Sequence, residues 1–404
     1  MTETRASLAM RRPFLTALAL SLGTAIALGL TRFSYALLLS PMRSDLGWNY
    51  TLAGSMNTGN ALGYFFGALA TPLLIRRLGI PAVFLSGALG AGAFMLLSGA
   101  SLETIPLLLL RILSGLASAL SFIAGGVLAA RLASMHSHRA GLLIGLYYGG
   151  TGIGITLSAL LIPPAMQLAT EHGYAHSWQW AWYLLGSLCL LGAMLMAPPA
   201  RQIPQPPAQA TQHAKFHISA FAYGLSAYFM FGVGYIGYMT FVVALLKEQG
   251  MQATSITIFY ALLGLAVLCS SRIWAGMLDR YKGGQSMAIL NALLSVATIL
   301  PVLTSAPVFI FISGLLFGGV FLSTVASTTA LVRHNLPHAA WSSGIGAFTV
   351  TFAVGQVLGP VLVGWVADGA GGLTHGLQLS ALALLISALL AWRQPAWITR
   401  RMRP

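Results

Sequence analysis

Charge is scarce in this sequence, and negative charge almost absent: Asp and Glu number seven in 404 residues, against 21 Lys and Arg. With 7% charged and 57% apolar residues, the chain has too little polar surface to cover a water-soluble domain. A mean hydropathy of +0.80 points the same way. Cysteine is limited to Cys189 and Cys269, both inside apolar stretches, which excludes a disulfide framework. Lys215, Lys247 and Lys282 are followed by Phe216, Glu248 and Gly283, so the sequence holds no Gly-Lys-Ser/Thr phosphate loop and ATP is not the expected energy source. It also lacks His-Glu-x-x-His and Gly-x-Ser-x-Gly, and an enzyme is not expected. His136 and His138 share a loop with Arg131 and Arg139 and have no Cys or carboxylate nearby, so neither a metal nor any other cofactor is expected.

What fills the chain is apolar sequence. A helix needs about 20 mostly apolar residues to cross a bilayer. Stretches of that kind occur at 14–39, 52–75, 80–100, 104–130, 140–165, 179–197, 217–246, 254–277, 285–304, 307–332, 341–366 and 374–393. The cations are sorted onto alternate gaps between them. Sixteen lie on one side (among them Arg76, Arg77, Arg280 and Lys282), Arg43 and Lys247 lie on the other, and Arg32, Arg111 and Arg272 fall inside apolar stretches. That is the positive-inside pattern. It predicts a multi-pass protein of the bacterial inner membrane with both termini cytoplasmic and an even number of spans. It also accounts for the net charge of +14 without a nucleic-acid partner. Arg11-Arg12-Pro13-Phe14-Leu15 imitates a twin-arginine leader, but cleavage after it would remove most of the first span and reverse the sorting. An uncleaved helix is expected.

Between the sixth and seventh spans runs Pro198-Pro199-Ala200-Arg201-Gln202-Ile203-Pro204-Gln205-Pro206-Pro207, too rich in Pro and Gln to read as helix. The reading is a six-helix bundle over 1–197, a cytoplasmic linker over 198–216 and a second six-helix bundle over 217–404. Shifting one half by 203 residues brings Gly29 onto Gly232, Tyr35 onto Tyr238, Gly47 onto Gly250, Arg77 onto Arg280, Gly115 onto Gly318 and Gly141 onto Gly344. Apart from Gly63, which misses Gly264 by two residues, a single ungapped offset through five spans keeps glycines and an arginine aligned and marks a duplication. Two parallel six-helix repeats are the design of an alternating-access transporter, with substrate expected near the bilayer midplane between the halves.

Several segments resemble the major facilitator superfamily. Gly276-Met277-Leu278-Asp279-Arg280-Tyr281-Lys282 matches its loop signature after the second helix of a half. The first half has Arg76-Arg77-Leu78-Gly79, with arginine in place of the acid. Arg111-Ile112-Leu113-Ser114-Gly115 is similar to the family's Arg-x-x-x-Gly motif. Gly346, Gly355 and Gly359-Pro360 resemble its glycine-proline antiporter motif, placed here in the eleventh span instead of the fifth. Gly29-Leu30-Thr31-Arg32-Phe33-Ser34-Tyr35, continued by Pro41 to Trp48, most resembles the YbfB/YjiJ-type bacterial branch. The resemblance implies an all-α polytopic fold of twelve helices in two pseudo-symmetric six-helix bundles. It also implies that the first and fourth helices line the central cavity, and that Asp279 and Arg280, with Arg76 and Arg77, form an inner gate.

Candidate substrate residues follow from charge and polarity in lipid. A charged side chain in a span costs about 2.5–3.5 kcal/mol on insertion scales and normally faces a cavity or a partner. Arg32 and Arg111 each sit seven residues from the outer end of a span, roughly 10 Å deep at 1.5 Å per residue. Two guanidiniums at one depth suit an anion. The alternatives are that Arg111 braces backbone carbonyls and that Arg32 snorkels or pairs with Asp45 or Glu103. Asn57, Asn60 and Tyr64 share a helix face that looks into a cavity or bonds a neighbouring helix. Tyr35, Tyr235 and Tyr238 would supply aromatic contact. Gln356 would line the pathway or bond across a glycine interface.

The resulting expectation is a secondary transporter, working as a monomer among membrane lipids, that moves a small organic solute, an anion by the arginines. The alternative is a proton-coupled multidrug or metabolite efflux antiporter, with a coupling proton as a further partner. A non-transporting receptor is the remote alternative.

Overall fold

The computed structural model describes residues 12–204, 217–337 and 340–397. Residues 205–216 of the proline-rich segment, and the basic residues Arg5, Arg11, Lys215, Arg400, Arg401 and Arg403, lie outside the described residues. Among the described residues, twelve helices are long and apolar enough to cross a membrane. They are α1 (Pro13–Leu46), α2 (Tyr50–Leu78), α3 (Ile80–Gly99), α4 (Thr104–Ser134), α5 (Ala140–Glu171), α6 (Ser177–Arg201), α7 (Ile218–Glu248), α8 (Ala253–Ile273), α9 (Gln285–Leu303), α10 (Pro307–Asn335), α11 (Trp341–Ala367) and α12 (Gly372–Trp392). A short helical turn, Ala275–Arg280, follows α8. Proline opens α1, α3 and α10 from their first turns, where its missing N–H costs no helical bond. Leucines such as Leu73, Leu109, Leu195 and Leu389 stand more than half exposed, as side chains facing lipid do.

The helices outrun the apolar stretches at several ends. α1 continues past residue 39 to Leu46, and α5 past 165 to Glu171. α6 carries on through Pro198 and Pro199 to Arg201 instead of ending at 197. Proline's fixed φ is already helical, so a last turn can include it at the cost of donor N–H groups.

The chain forms two compact units: Met1–Leu38 with Gly59–Ala208, and Leu39–Thr58 with Gln209–Pro404. The last turns of α1 and the first turns of α2 therefore belong with the second unit.

The 203-residue repeat reappears as packing. In the first unit a Cβ added at Gly115 of α4 would lie 2.0 Å from the Asn60 carbonyl oxygen of α2; in the second, one at Gly318 of α10 would lie 2.2 Å from the Leu263 carbonyl oxygen of α8. Gly115 and Gly318 are 203 residues apart, and so are Asn60 and Leu263. Helix ends repeat as well. Gly47 and Gly250 both adopt left-handed φ, +66° and +77°, just past α1 and α7. There the Trp48 N–H donates to the Arg43 carbonyl and the Met251 N–H to the Leu246 carbonyl, each at 3.0 Å, the six-to-one bond of a Schellman cap.

Candidate substrate site and gating residues

Arg32 lies on a departure from regular helix. Ala25–Phe33 of α1 is wound as a π-helix, and the Ser34 N–H donates to the Gly29 carbonyl five residues back at 3.1 Å. π-Helical turns are rare and frequent at functional sites. This one lies where α1 crosses α5 closely: a Cβ at Gly29 would come 2.5 Å from the Cα of Gly154. Carbonyls of this segment also accept from side chains. The Thr31 hydroxyl donates to the Ile26 carbonyl at 2.6 Å, and the Arg111 guanidinium donates through Nη1 to the Thr31 carbonyl at 2.7 Å.

Arg32 and Arg111 are each only 2% exposed, and among the described residues they are the two buried charged side chains. Asn60 of α2 joins them. Its Oδ1 accepts from Arg32 Nε at 3.2 Å, while its Nδ2 donates to the Arg111 carbonyl at 3.3 Å and to Ser114 Oγ at 3.2 Å. Aromatic rings complete the surroundings, with Arg32 Cζ 5.1 Å from the Tyr64 ring centroid and Arg111 Cζ 5.0 Å from that of Tyr35 and 5.4 Å from that of Trp182. Tyr35 is therefore packed against Arg111, and Arg111 braces a backbone carbonyl while sharing a network with Arg32.

Asn57 takes a different path from Asn60. It falls in the second unit, where its Nδ2 donates to Thr240 Oγ1 of α7 at 2.7 Å. Also in the second unit, Gln356 Nε2 donates to the Tyr235 hydroxyl. The Tyr235 ring stacks with Phe231, Phe352 and Phe321 at centroid distances of 4.9, 5.5 and 6.0 Å. Tyr238 is fully buried, its hydroxyl 2.7 Å from Ser313 Oγ and its ring 4.1 Å from that of Phe317. The glycine-proline run serves the crossing of α7 and α11, since a Cβ at Gly355 would lie 2.3 Å from the Phe229 carbonyl oxygen and one at Gly359 2.7 Å from that of Val233.

Arg76 and Arg77 are exposed at the end of α2, and Asp279 and Arg280 are exposed on the short turn after α8. Among the described residues no group of three or more His, Cys, Asp or Glu is placed to hold a metal.

Sequence reasoning missed Thr31, Ser114 and Trp182 around the arginines. The signal for Ser114 was within reach, because it sits inside the Arg111 to Gly115 motif. It missed Tyr50 and Thr51, at the opposite end of α2 from Arg76, and Glu248 and Asp368, which meet them. Asp368 follows the last residue of α11 and Glu248 is the last of α7. An acid is disfavoured at the C-terminal end of its own helix, which hints that it serves another.

Comparisons with known proteins agree on the fold. A bacterial homologue of the human lysosomal transporter Spinster, inward-facing and unoccupied, superposes with a TM-score of 0.69 at 14% identity, covering 94% of this chain and 96% of that one. The nucleoside transporter NupG gives 0.70 at 15%, covering 96% and 100%. A point mutant of the peptide transporter POT gives 0.72 at 14%, covering 96% and 94%. No curated protein matches the sequence significantly. The family model described as "Uncharacterised MFS-type transporter YbfB" matches residues 24–392. With twelve apolar helices in a major facilitator fold and that match along nearly the whole chain, the protein belongs to the YbfB-type family of major facilitator transporters, as a multi-pass membrane secondary transporter of a small molecule.

Proposed function

We propose that the transported solute is a small organic anion and that Arg32 binds its carboxylate. The observation that supports this reading is that the two buried charged side chains among the described residues are both positive and share one polar network through Asn60. Asn60 and the Tyr64 ring hold the Arg32 guanidinium in one orientation, the preorganisation that bidentate recognition of a carboxylate requires. Arg111 has the supporting role of fixing the π-wound segment. Tyr235 and Gln356, bonded to each other, are the proposed polar contacts of the second unit. The solved relatives are named for nucleosides and peptides, so the shared fold leaves the solute to be read from these side chains.

The sorting of the basic residues supports placement in the bacterial inner membrane with both termini cytoplasmic. We take the working unit to be a monomer. The exposed Asp279 and Arg280 are the proposed cytoplasmic gate. Efflux of lipophilic drugs is the less favoured reading, because Gly355 and Gly359 are accounted for by helix crossing.

Thermal unfolding of the purified protein with a panel of organic anions and lipophilic cations, alongside Arg32→Ala, tests the proposal. Stabilisation by anions that disappears in the variant is expected. Stabilisation by lipophilic cations alone, unchanged in Arg32→Ala, would overturn it.

A further inference from the structure

The start of α2 is held by an acid from another helix. Asn49 precedes the helix and its Oδ1 accepts the Leu52 N–H at 2.8 Å, an ordinary N-cap. The two N–H groups before that one, on Tyr50 and Thr51, donate to the two carboxylate oxygens of Asp368 at 2.7 and 2.9 Å, and the Thr51 hydroxyl adds a third bond at 2.5 Å. The Tyr50 hydroxyl donates to Glu248, while Arg43 Cζ lies 4.1 Å over the Tyr50 ring. Both acids stand at C-terminal helix ends, where their own helix dipoles oppose them. Asp368 is compensated by the positive end of α2 and Glu248 by the Tyr50 hydroxyl.

The backbones beneath are in close contact. A Cβ at Gly364 would lie 2.4 Å from the Tyr50 carbonyl oxygen and one at Gly54 2.3 Å from that of Pro360, and Thr58 donates to the Val357 carbonyl at 2.7 Å. α2 and α11 thus run together for two turns below the acid-capped end. Asn57 adds α7 through Thr240.

We propose that Asp368 and Glu248 form a releasable latch that fastens the first turns of α2 to the ends of α7 and α11, and that this latch closes one face of the transporter. The bonds are suited to that task. They are charge-assisted and strong when made, yet carboxylates, N–H groups and hydroxyl lie at a helix end where water can take over each partner on release. The inference rests on the transporter reading and is independent of the solute's charge.

The test replaces Cys189 and Cys269 by serine and introduces Thr240→Cys, two turns below Glu248 and fully buried. A membrane-impermeant maleimide is applied to intact cells and to inside-out vesicles. Asp45→Cys, at the exposed end of α1, reports in parallel which side the latch faces, whatever the latch does. Thr240→Cys is expected to react slowly from that side in the parent and roughly tenfold faster when Asp368→Ala or Thr51→Val removes charge-assisted bonds. Thr51→Val keeps the acid and covers the case in which Asp368→Ala fails to fold. Equal labelling in parent and both variants, with Asp45→Cys still reacting, would overturn the latch.

Discussion

The guanidinium of Arg111 donates to the carbonyl of Thr31 at 2.7 Å, so a residue of α4 holds the backbone of the π-wound segment of α1 next to Arg32. Removing that donor deletes a buried, charge-assisted hydrogen bond, at a cost of about 1.5–3 kcal/mol. Arg111→Met is therefore expected to lower the unfolding temperature with or without ligand. Arg111→Lys should recover only part of it, because an ammonium cannot both reach the carbonyl and lie flat beside Tyr35 and Trp182. Thermal melts in detergent give the comparison.

Asn60→Leu separates orientation from charge. It keeps both arginines but removes the acceptor that holds Arg32 Nε and the donor to Ser114. On the anion reading, ligand-induced stabilisation should correspond to an affinity about tenfold weaker, while Arg32→Ala abolishes it. Equal affinity in Asn60→Leu and the parent would show that the amide does not position the cation.

The duplicated crossings predict duplicated sensitivity. Gly115→Ala and Gly318→Ala each place a methyl about 2 Å from a backbone carbonyl, and both should lower folded yield in detergent chromatography. Gly319→Ala, the very next residue, has nothing within 4 Å of an added Cβ and should be neutral.

Tyr238→Phe deletes a buried hydroxyl whose partner, Ser313, retains its 2.5 Å bond to the Ala297 carbonyl. The expected loss of stability is about 0.5–1.5 kcal/mol, with ligand binding unchanged, since the ring is sunk against Phe317. Impaired ligand binding at normal stability would instead place Tyr238 at the solute.

The spans and the repeat were legible because each rests on a periodic requirement: apolar length for the bilayer, glycine where two backbones meet. Gly47 and Gly250 were readable as a pair before their φ angles were known. The arrangement around Arg32 was legible as to residue type and only partly as to partner. Asn57 and Asn60 share a face of α2 by spacing, yet they belong to different units, because a helix passing between two units changes neighbours along its length. Spacing carries no information about that. The π segment was hidden for a related reason: hydrophobic periodicity assumes the regular α winding, and nothing in Ala25 to Phe33 marks the change.

That altered winding has a consequence for how Arg32 can move. In a regular helix, turning a side chain about the axis means rotating the whole rod against its neighbours. A segment wound with more residues per turn is a local reserve of twist. Tightening part of it from five-residue to four-residue bonds would swing Arg32 and the Thr31 carbonyl around α1 relative to the close crossing at Gly29.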